Sequence, residues 1–164
     1  MANDSPTVRA LGKPGDLGWV VMAHGELYAE QFGWDSSFES LVATIVGAYA
    51  AQHDPVREAA WVAETEGVRV GCVFCVAGDE PTTAQFRILL VDPAARGHGL
   101  GARLVDECVG FARRAGYRRI TLWTNVVLAS ARRIYEGAGF QLVDETPHHS
   151  FGRDLVGQHW ALRL

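Results

Sequence analysis

The residues best able to do chemistry lie in one stretch, Val91-Asp92-Pro93-Ala94-Ala95-Arg96-Gly97-His98-Gly99-Leu100-Gly101-Ala102. An apolar run ends at Val91, Pro93 stops it because proline lacks a ladder N–H, and helical spacing begins among the glycines. The first N–H groups of a helix have no internal partner, and its dipole adds about half a positive charge there. Glycines let the backbone come close to a ligand, and Arg96 adds a fixed cation with planar donors. This predicts an anion site, suited to a phosphate or diphosphate, on Arg96, Gly97, His98, Gly99, Leu100, Gly101 and Ala102. His98 enters it through its backbone, with its side chain toward solvent. A Walker loop is excluded, since Ala102 and Arg103 follow Gly101 where Lys and Ser or Thr are needed. The loose dinucleotide pattern G-x-G-x-x-A is matched. However, the next strand ends in Leu122-Trp123-Thr124, with no carboxylate for a ribose, and the motif lies past mid-chain.

Periodicity supplies the elements that must hold this loop. Thr7–Leu11 reads as a strand, and a helix follows from Asp16, its N-cap, through Gln31. Asp35-Ser36-Ser37 opens a second helix with Phe38, Leu41, Val42, Ile45 and Tyr49 on one stripe. Ala59–Glu64 and Val68–Ala77 read as strands joined by a hairpin at Glu66-Gly67, and Phe86–Val91 as the next strand. Leu100, Leu104, Cys108, Phe111 and Ala115 form a helical stripe ending at Gly116, a C′ position. Arg119–Thr124 is a strand and Leu128–Glu136 a helix. Phe140–Glu145 and Gly157–Leu164 are closing strands around a loop from Thr146 to Val156. The order predicts an α/β fold on a mixed, mostly antiparallel sheet of about seven strands with about four helices. Its first half is antiparallel, and parallel crossovers fall in its second. Ile88-Leu89-Leu90-Val91 suits a central strand covered on both faces.

Arg96-x-x-Gly99-x-Gly101 after Val91-Asp92-Pro93 resembles the acyl-CoA signature of the GNAT N-acetyltransferase superfamily. Asn125-x-x-x-x-Ser130-Ala131-x-x-x-Tyr135-Glu136-x-x-Gly139-Phe140 resembles the same family's second cofactor motif. Phe32-Gly33-Trp34 and His148-His149-Ser150-Phe151-Gly152 look more particularly like the acetyltransferase half of MarR-type regulator fusions. No helix-turn-helix segment precedes them, so a regulatory DNA role is not carried over. The resemblance implies a single domain over residues 1–164 that uses acetyl-CoA as co-substrate and transfers acetyl directly to a primary amine, of a small molecule or a protein. It implies that Leu90 and Val91 offer backbone groups to the pantetheine arm, that the diphosphate meets the glycine loop, and that Asn125 and Ser130 touch the cofactor. Asn125 also suits a helix cap. Tyr135 is the candidate general acid toward the departing thiolate, with packing on the helix face as the alternative. A homodimer stays open. The rival reading is a non-catalytic acyl-CoA sensor or interaction module.

The general base is not assigned. Many members of the family place a glutamate on the strand leading into the loop, but here that strand reads Gln85-Phe86-Arg87-Ile88-Leu89-Leu90. Glu26, Glu30, Glu64, His148, His149 and a water relay remain. For the acceptor pocket, His24 and Tyr28 lie four apart on one helix face, and Trp34 follows. His148, His149 and Phe151 suit a pocket wall on the closing loop, unless Phe151 plugs the core and the histidines are solvated.

The rest of the chain is restrictive mainly by exclusion. Its 164 residues suit one domain, and Lys+Arg 15 against Asp+Glu 19 leaves a net charge of −4. A weakly acidic chain is a poor partner for nucleic acid or anionic membrane, and no apolar run approaches a span. The start, MANDSPTVRALG, lacks the features of a secretory signal, so a cytoplasmic location is expected. No His, Cys, Asp and Glu set has metal-ligand spacing. Cys72 and Cys75 form a C-x-x-C, but inside a strand their side chains point to opposite faces, so a buried structural role is expected.

Overall fold

Asp16 ties the first elements together. In the computed structural model, which describes residues 5–164, its buried carboxylate accepts from both Nη atoms of Arg9 and from Nε of Arg69, each at 2.8 Å. It also accepts from the N–H groups of Gly12 and Lys13. The Arg9 guanidinium above all holds this carboxyl well below the usual carboxylate range. Asp16 is therefore not the N-cap expected from its type. Gly15 takes that position, and Asp16 turns inward to clamp strand, loop and helix start.

The elements run β1 (Thr7–Ala10), α1 (Asp16–Phe32), α2 (Ser36–Gln52), β2 (Ala59–Thr65), β3 (Val68–Ala77) and β4 (Thr83–Val91). A 3-10 turn (Pro93–Ala95), α3 (Leu100–Arg114), β5 (Arg119–Asn125), α4 (Ala129–Gly137), β6 (Gln141–Ser150) and β7 (Arg153–Arg163) follow. The sheet order is β1-β2-β3-β4-β5-β7-β6. Only β4 and β5 are parallel neighbours, because β7 inserts antiparallel between β5 and β6. The expected parallel half of the sheet thus reduces to one pair. Glu66 and Gly67 both have positive φ, the turn that suits the twist of a two-residue hairpin.

Two apolar layers cover the sheet. On one side α3 and α4 bury Leu104, Val105, Cys108 and Tyr135 against Val73, Cys75, Phe86 and Leu122. On the other, α1 and α2 bury Val20, Phe38 and Val42 against Cys72, Phe74 and Leu90. Each such side chain contributes roughly 1.5–3 kcal/mol. Cys72 and Cys75 fall in different layers, as a strand requires, and burial pushes the Cys72 thiol up. No described helix is long and apolar enough to cross a membrane.

The largest departure from the sequence reading is at the end. The expected loop from Thr146 to Val156 is mostly strand: β6 and β7 pair without a break from Thr146↔Gly157 to Ser150↔Arg153. Only Phe151 and Gly152 turn, both with positive φ. Phe151 packs on Trp34 and Phe38 at ring distances of 4.9 and 5.0 Å. Asp35 N–H donates to the Phe151 carbonyl, so the hairpin tip is fastened to the α1–α2 connection.

Candidate active site

The glycine loop forms one end of a groove of about 500 Å3 between α3, α4, α1 and the end of β4. Asp92 accepts from Ala94 N–H and starts the 3-10 turn after β4. Gly99 then adopts a left-handed conformation, φ 73°, as N-cap of α3, with no side chain capping the helix. Among the described residues, nothing accepts from the N–H groups between Gly97 and Ala102. Cβ atoms built on Gly97 or Gly99 would meet nothing within 4 Å, so the cradle is open above them. Gly101 has a different reason to be glycine. A Cβ there would lie 2.5 Å from Ile134 Cδ1, so its absence lets α4 approach α3 at the groove floor. Arg96 folds back, its Nε donating to the Val91 carbonyl at 3.3 Å, which holds the cation beside the cradle.

The groove exists because β4 breaks away from β5. Their pairing stops after Gln85↔Thr121. Opposite β3, the register runs from Phe74↔Arg87 to Cys72↔Leu90, so Ile88 and Leu89 together face Val73 in a bulge. Ile88 has φ 42°, strained for a β-branched residue. From Phe86 onward the outer edge of β4 therefore has no strand beside it, and its backbone groups face the gap. Leu89, Leu90 and Val91 line the groove along that edge.

A second, inner cavity of about 120 Å3 opens from the first, and Tyr28, Leu89 and Leu128 line both. Tyr135 projects into it from α4, its ring packed edge-on to Phe86 at 5.4 Å. No described residue hydrogen-bonds its hydroxyl. Burial raises its phenol well above the ordinary value, and the Tyr28 phenol adds to this. Tyr28 itself is pushed up to about 12 by burial, with the Cys72 thiol adding to the rise and Arg96 opposing it. His24 donates from Nδ1 to the Val20 carbonyl at 2.7 Å, which leaves Nε2 as a buried acceptor without a partner. Thr124 Oγ1 is buried and unpartnered too, and both residues line the inner cavity. Buried polar atoms without partners are rare, and these two belong to residues of the cavity wall.

Residues 22–140 match the model of the Acetyltransferase (GNAT) family. The chain belongs to the GNAT family. It is 36% identical over 110 residues to human N-acetyltransferase 8B, covering 63% of this chain and 48% of that protein. It is 31% identical to zebrafish N-acetylaspartate synthetase over 58% of this chain and 34% of that one. The chain thus spans about half or less of the length of these curated relatives. Solved structures agree on the fold. One is a Salmonella typhimurium protein solved with its cofactor acetyl-CoA, with TM-score 0.76 and 20% identity over 98% of this chain and 94% of that one. Another is the ribosomal-protein-alanine N-acetyltransferase of Brucella melitensis, with TM-score 0.76 and 18% identity over 96% of this chain and 99% of that one.

Within this GNAT fold, the residues singled out in the sequence divide between the two spaces. Leu90, Val91, Arg96, Gly97, Gly99, Leu100, Gly101, Ala102 and Ser130 line the groove. His98 is exposed beside it. Asn125 lines the inner cavity instead. Its Oδ1 accepts from His148 Nε2 at 2.8 Å, and His148 Nδ1 then accepts from the Ser150 hydroxyl, so His148 has no free nitrogen. His24, Tyr28 and Trp34 line the inner cavity, whereas Phe151 packs in the aromatic layer behind Trp34. His149 is exposed and contacts Asp154 at the hairpin tip. Glu26 and Glu30 are exposed on α1, and Glu64 pairs with Arg9 far from either space. Ile88, Arg87 and Trp123 carried no functional reading in the sequence. Arg87 alone had a signal, as a charge in the middle of an apolar central strand. Among the described residues no group of His, Cys, Asp and Glu could hold a metal.

His24 also gives the fold a pH dependence. Burial lowers its pKa to about 4, against an ordinary value of 6.5. The unfolded chain therefore takes up the proton first, and stability falls as pH drops from 6.5 toward 4. The loss approaches about 2–3 kcal/mol near pH 4.5. Urea titrations of the wild type and His24→Gln at pH 7 and pH 4.5 measure it, and the variant should show a smaller drop. Equal drops would mean that His24 does not titrate between the two pH values.

Proposed function

We propose that this GNAT protein transfers the acetyl group of acetyl-CoA directly to a primary amine within a ternary complex. The observation that carries this reading is the junction at Tyr28 and Leu89, where a groove with an anion cradle meets a cavity with unpartnered polar atoms. The open N–H groups from Gly97 to Ala102, with the uncapped start of α4 across the groove, suit a diphosphate. Arg96 adds a cation there. The unpaired edge of β4 suits an extended arm that adds like a strand, through main-chain hydrogen bonds. Backbone N–H groups freed at the Ile88 bulge can polarise a thioester carbonyl.

When bound, acetyl-CoA supplies a thioester whose C–S bond breaks as the amine's C–N bond forms, sulfur leaving with the electron pair. Tyr135 holds a proton in the inner cavity and donates a hydrogen bond toward that sulfur. An alkylamine has a pKa near ~10 and must shed one proton before attack and one after it. No carboxylate lines the inner cavity, and burial keeps His24 neutral, so water accepts these protons and passes them outward. Trp34, Phe38 and Phe86 give the reacting atoms an apolar wall.

The same lack of a carboxylate favours, as a second reading, an acyl-CoA sensor without turnover. Incubation with acetyl-CoA and a panel of amines decides between them, read by release of free CoA and by mass spectrometry of the products. The transferase reading expects acceptor-dependent CoA release with one acetyl group on one amine. Tight acetyl-CoA binding without acetylation of any amine would favour the sensor.

A further inference from the structure

We propose that the acceptor carries a carboxylate beside its amine, and that Arg87 on β4 binds that carboxylate. The proposal rests on the transferase reading and assigns its substrate class: small amino acids with apolar side chains, as distinct from polyamines or lysine side chains of basic peptides.

Charge in the inner cavity points this way. Arg87 is the one formally charged residue of its lining, and no Asp or Glu is present there. A polycationic acceptor would meet a net positive wall. Of the chain's other partly buried arginines two are ion-paired, whereas among the described residues Arg132 has only the Val126 carbonyl and an unpartnered Nε. Arg9 and Arg69 pair with Asp16, and Arg57 stacks on Tyr117 and donates to the Pro81 carbonyl. Arg87 has no ion pair among the described residues. Among the described residues its one hydrogen bond runs from Nη2 to Gln85 Oε1 at 3.1 Å. Opposite Phe74 in the register, it sits on the face of the sheet that α1 and α2 cover. Burial there works against its charge, the distant Asp79 offsetting part of this.

The geometry suits a carboxylate. A guanidinium has five N–H donors in a planar fork, which matches two carboxylate oxygens. Gln85, having accepted from Arg87, keeps its amide N–H groups to donate to the same oxygens. Trp34, Phe38 and Trp123 around them offer an apolar wall for a side chain, and Tyr135 lines the same cavity for the reacting end. At about 120 Å3 the space admits a small molecule more readily than a chain segment.

The test uses alanine, leucine, methionine and phenylalanine, each as free acid, C-terminal amide and decarboxylated amine, with acetyl-CoA saturating. In the wild type, kcat/KM for the best acid should exceed that for its amide roughly 10–100-fold, the range for hydrogen bonds to a charged group. Arg87→Gln should bring this ratio close to one, and Arg87→Lys should keep part of it, with circular dichroism checking each fold. A second readout needs no turnover. The N-acetyl amino acids should raise the melting temperature of the CoA-loaded wild type but not of CoA-loaded Arg87→Gln, while N-acetyl amides raise neither. Preference for amides or decarboxylated amines, persistence of the acid preference in Arg87→Gln, or no stabilisation by any N-acetyl amino acid would overturn the carboxylate site. Failure of the wild type to bind CoA would overturn the transferase reading itself, so the two fail on different measurements.

Discussion

Gly99→Glu is expected to abolish measurable CoA binding while the protein stays folded. Gly99 is the N-cap of α3 at φ 73°, and a Cβ there would meet no atom within 4 Å. Space is therefore not the obstacle, and left-handed strain costs only about 1–3 kcal/mol. The effect comes from charge. The open N–H groups and the dipole of α3 make this corner positive, and a carboxylate placed on it both neutralises the cradle and repels a diphosphate. Like charges brought together in this way cost several kcal/mol, so affinity should fall at least roughly 100-fold. Gly99→Asn is the control, because asparagine accepts a left-handed backbone and adds no charge. Calorimetric titration with CoA should rank wild type, then Asn, then no detectable binding for Glu. Equal affinities for wild type and Gly99→Glu would remove the diphosphate from this loop.

The uncapped glycine turn was legible in the sequence and the cavity beside it was not. Glycines between a strand and a helical stripe permit a left-handed turn and put no side chain over it, so their position predicts open N–H groups before any packing is known. The bulge at Ile88 has no such mark. Ile88-Leu89-Leu90-Val91 reads as an ordinary buried strand, and the strain at Ile88 arises only from how β3 and β4 register. Asp16 looks like an N-cap because caps and buried ion-pair centres use the same residue type. Only the return of Arg9 and Arg69 in space distinguishes them. The closing hairpin was hidden for another reason. The sequence marks β6 only as far as Glu145; as the edge of the sheet it is exposed from Gln141 to Pro147, so no apolar alternation carries the strand on to Ser150. Its register is set by β7 and by Phe151 docking on Trp34, a contact between segments more than a hundred residues apart. The sequence reading marks only that this strand lacks a glutamate and gives Arg87 no role, although Arg87 is the one formal charge in the inner cavity's lining.

Tyr135→Phe should lower kcat roughly 10²–10⁴-fold, the span of acid–base groups, and leave the affinity for CoA within a few-fold. The ring contacts with Phe86 and Phe140 persist in phenylalanine. The deleted hydroxyl has no protein hydrogen bond to lose, so thermal stability should hold or rise slightly. What disappears is the one proton that α4 presents inside the cavity. Its chemistry is constrained by burial, which holds the phenol protonated well beyond the ordinary range. A thiol has a pKa near ~8.5, so complete transfer from this phenol to a thiolate runs uphill. In the proposed mechanism Tyr135 therefore donates a hydrogen bond to sulfur as charge develops and remains a phenol throughout. This makes a second measurement decisive. An acid of ordinary pKa would impose a fall in kcat near pH ~10, whereas the buried phenol leaves the wild-type profile flat there as long as the fold survives. A flat alkaline profile that accompanies a deep loss in Tyr135→Phe fits a hydrogen-bond donor. Normal turnover in the variant would reduce Tyr135 to a packing residue on α4 and leave the departing sulfur to solvent.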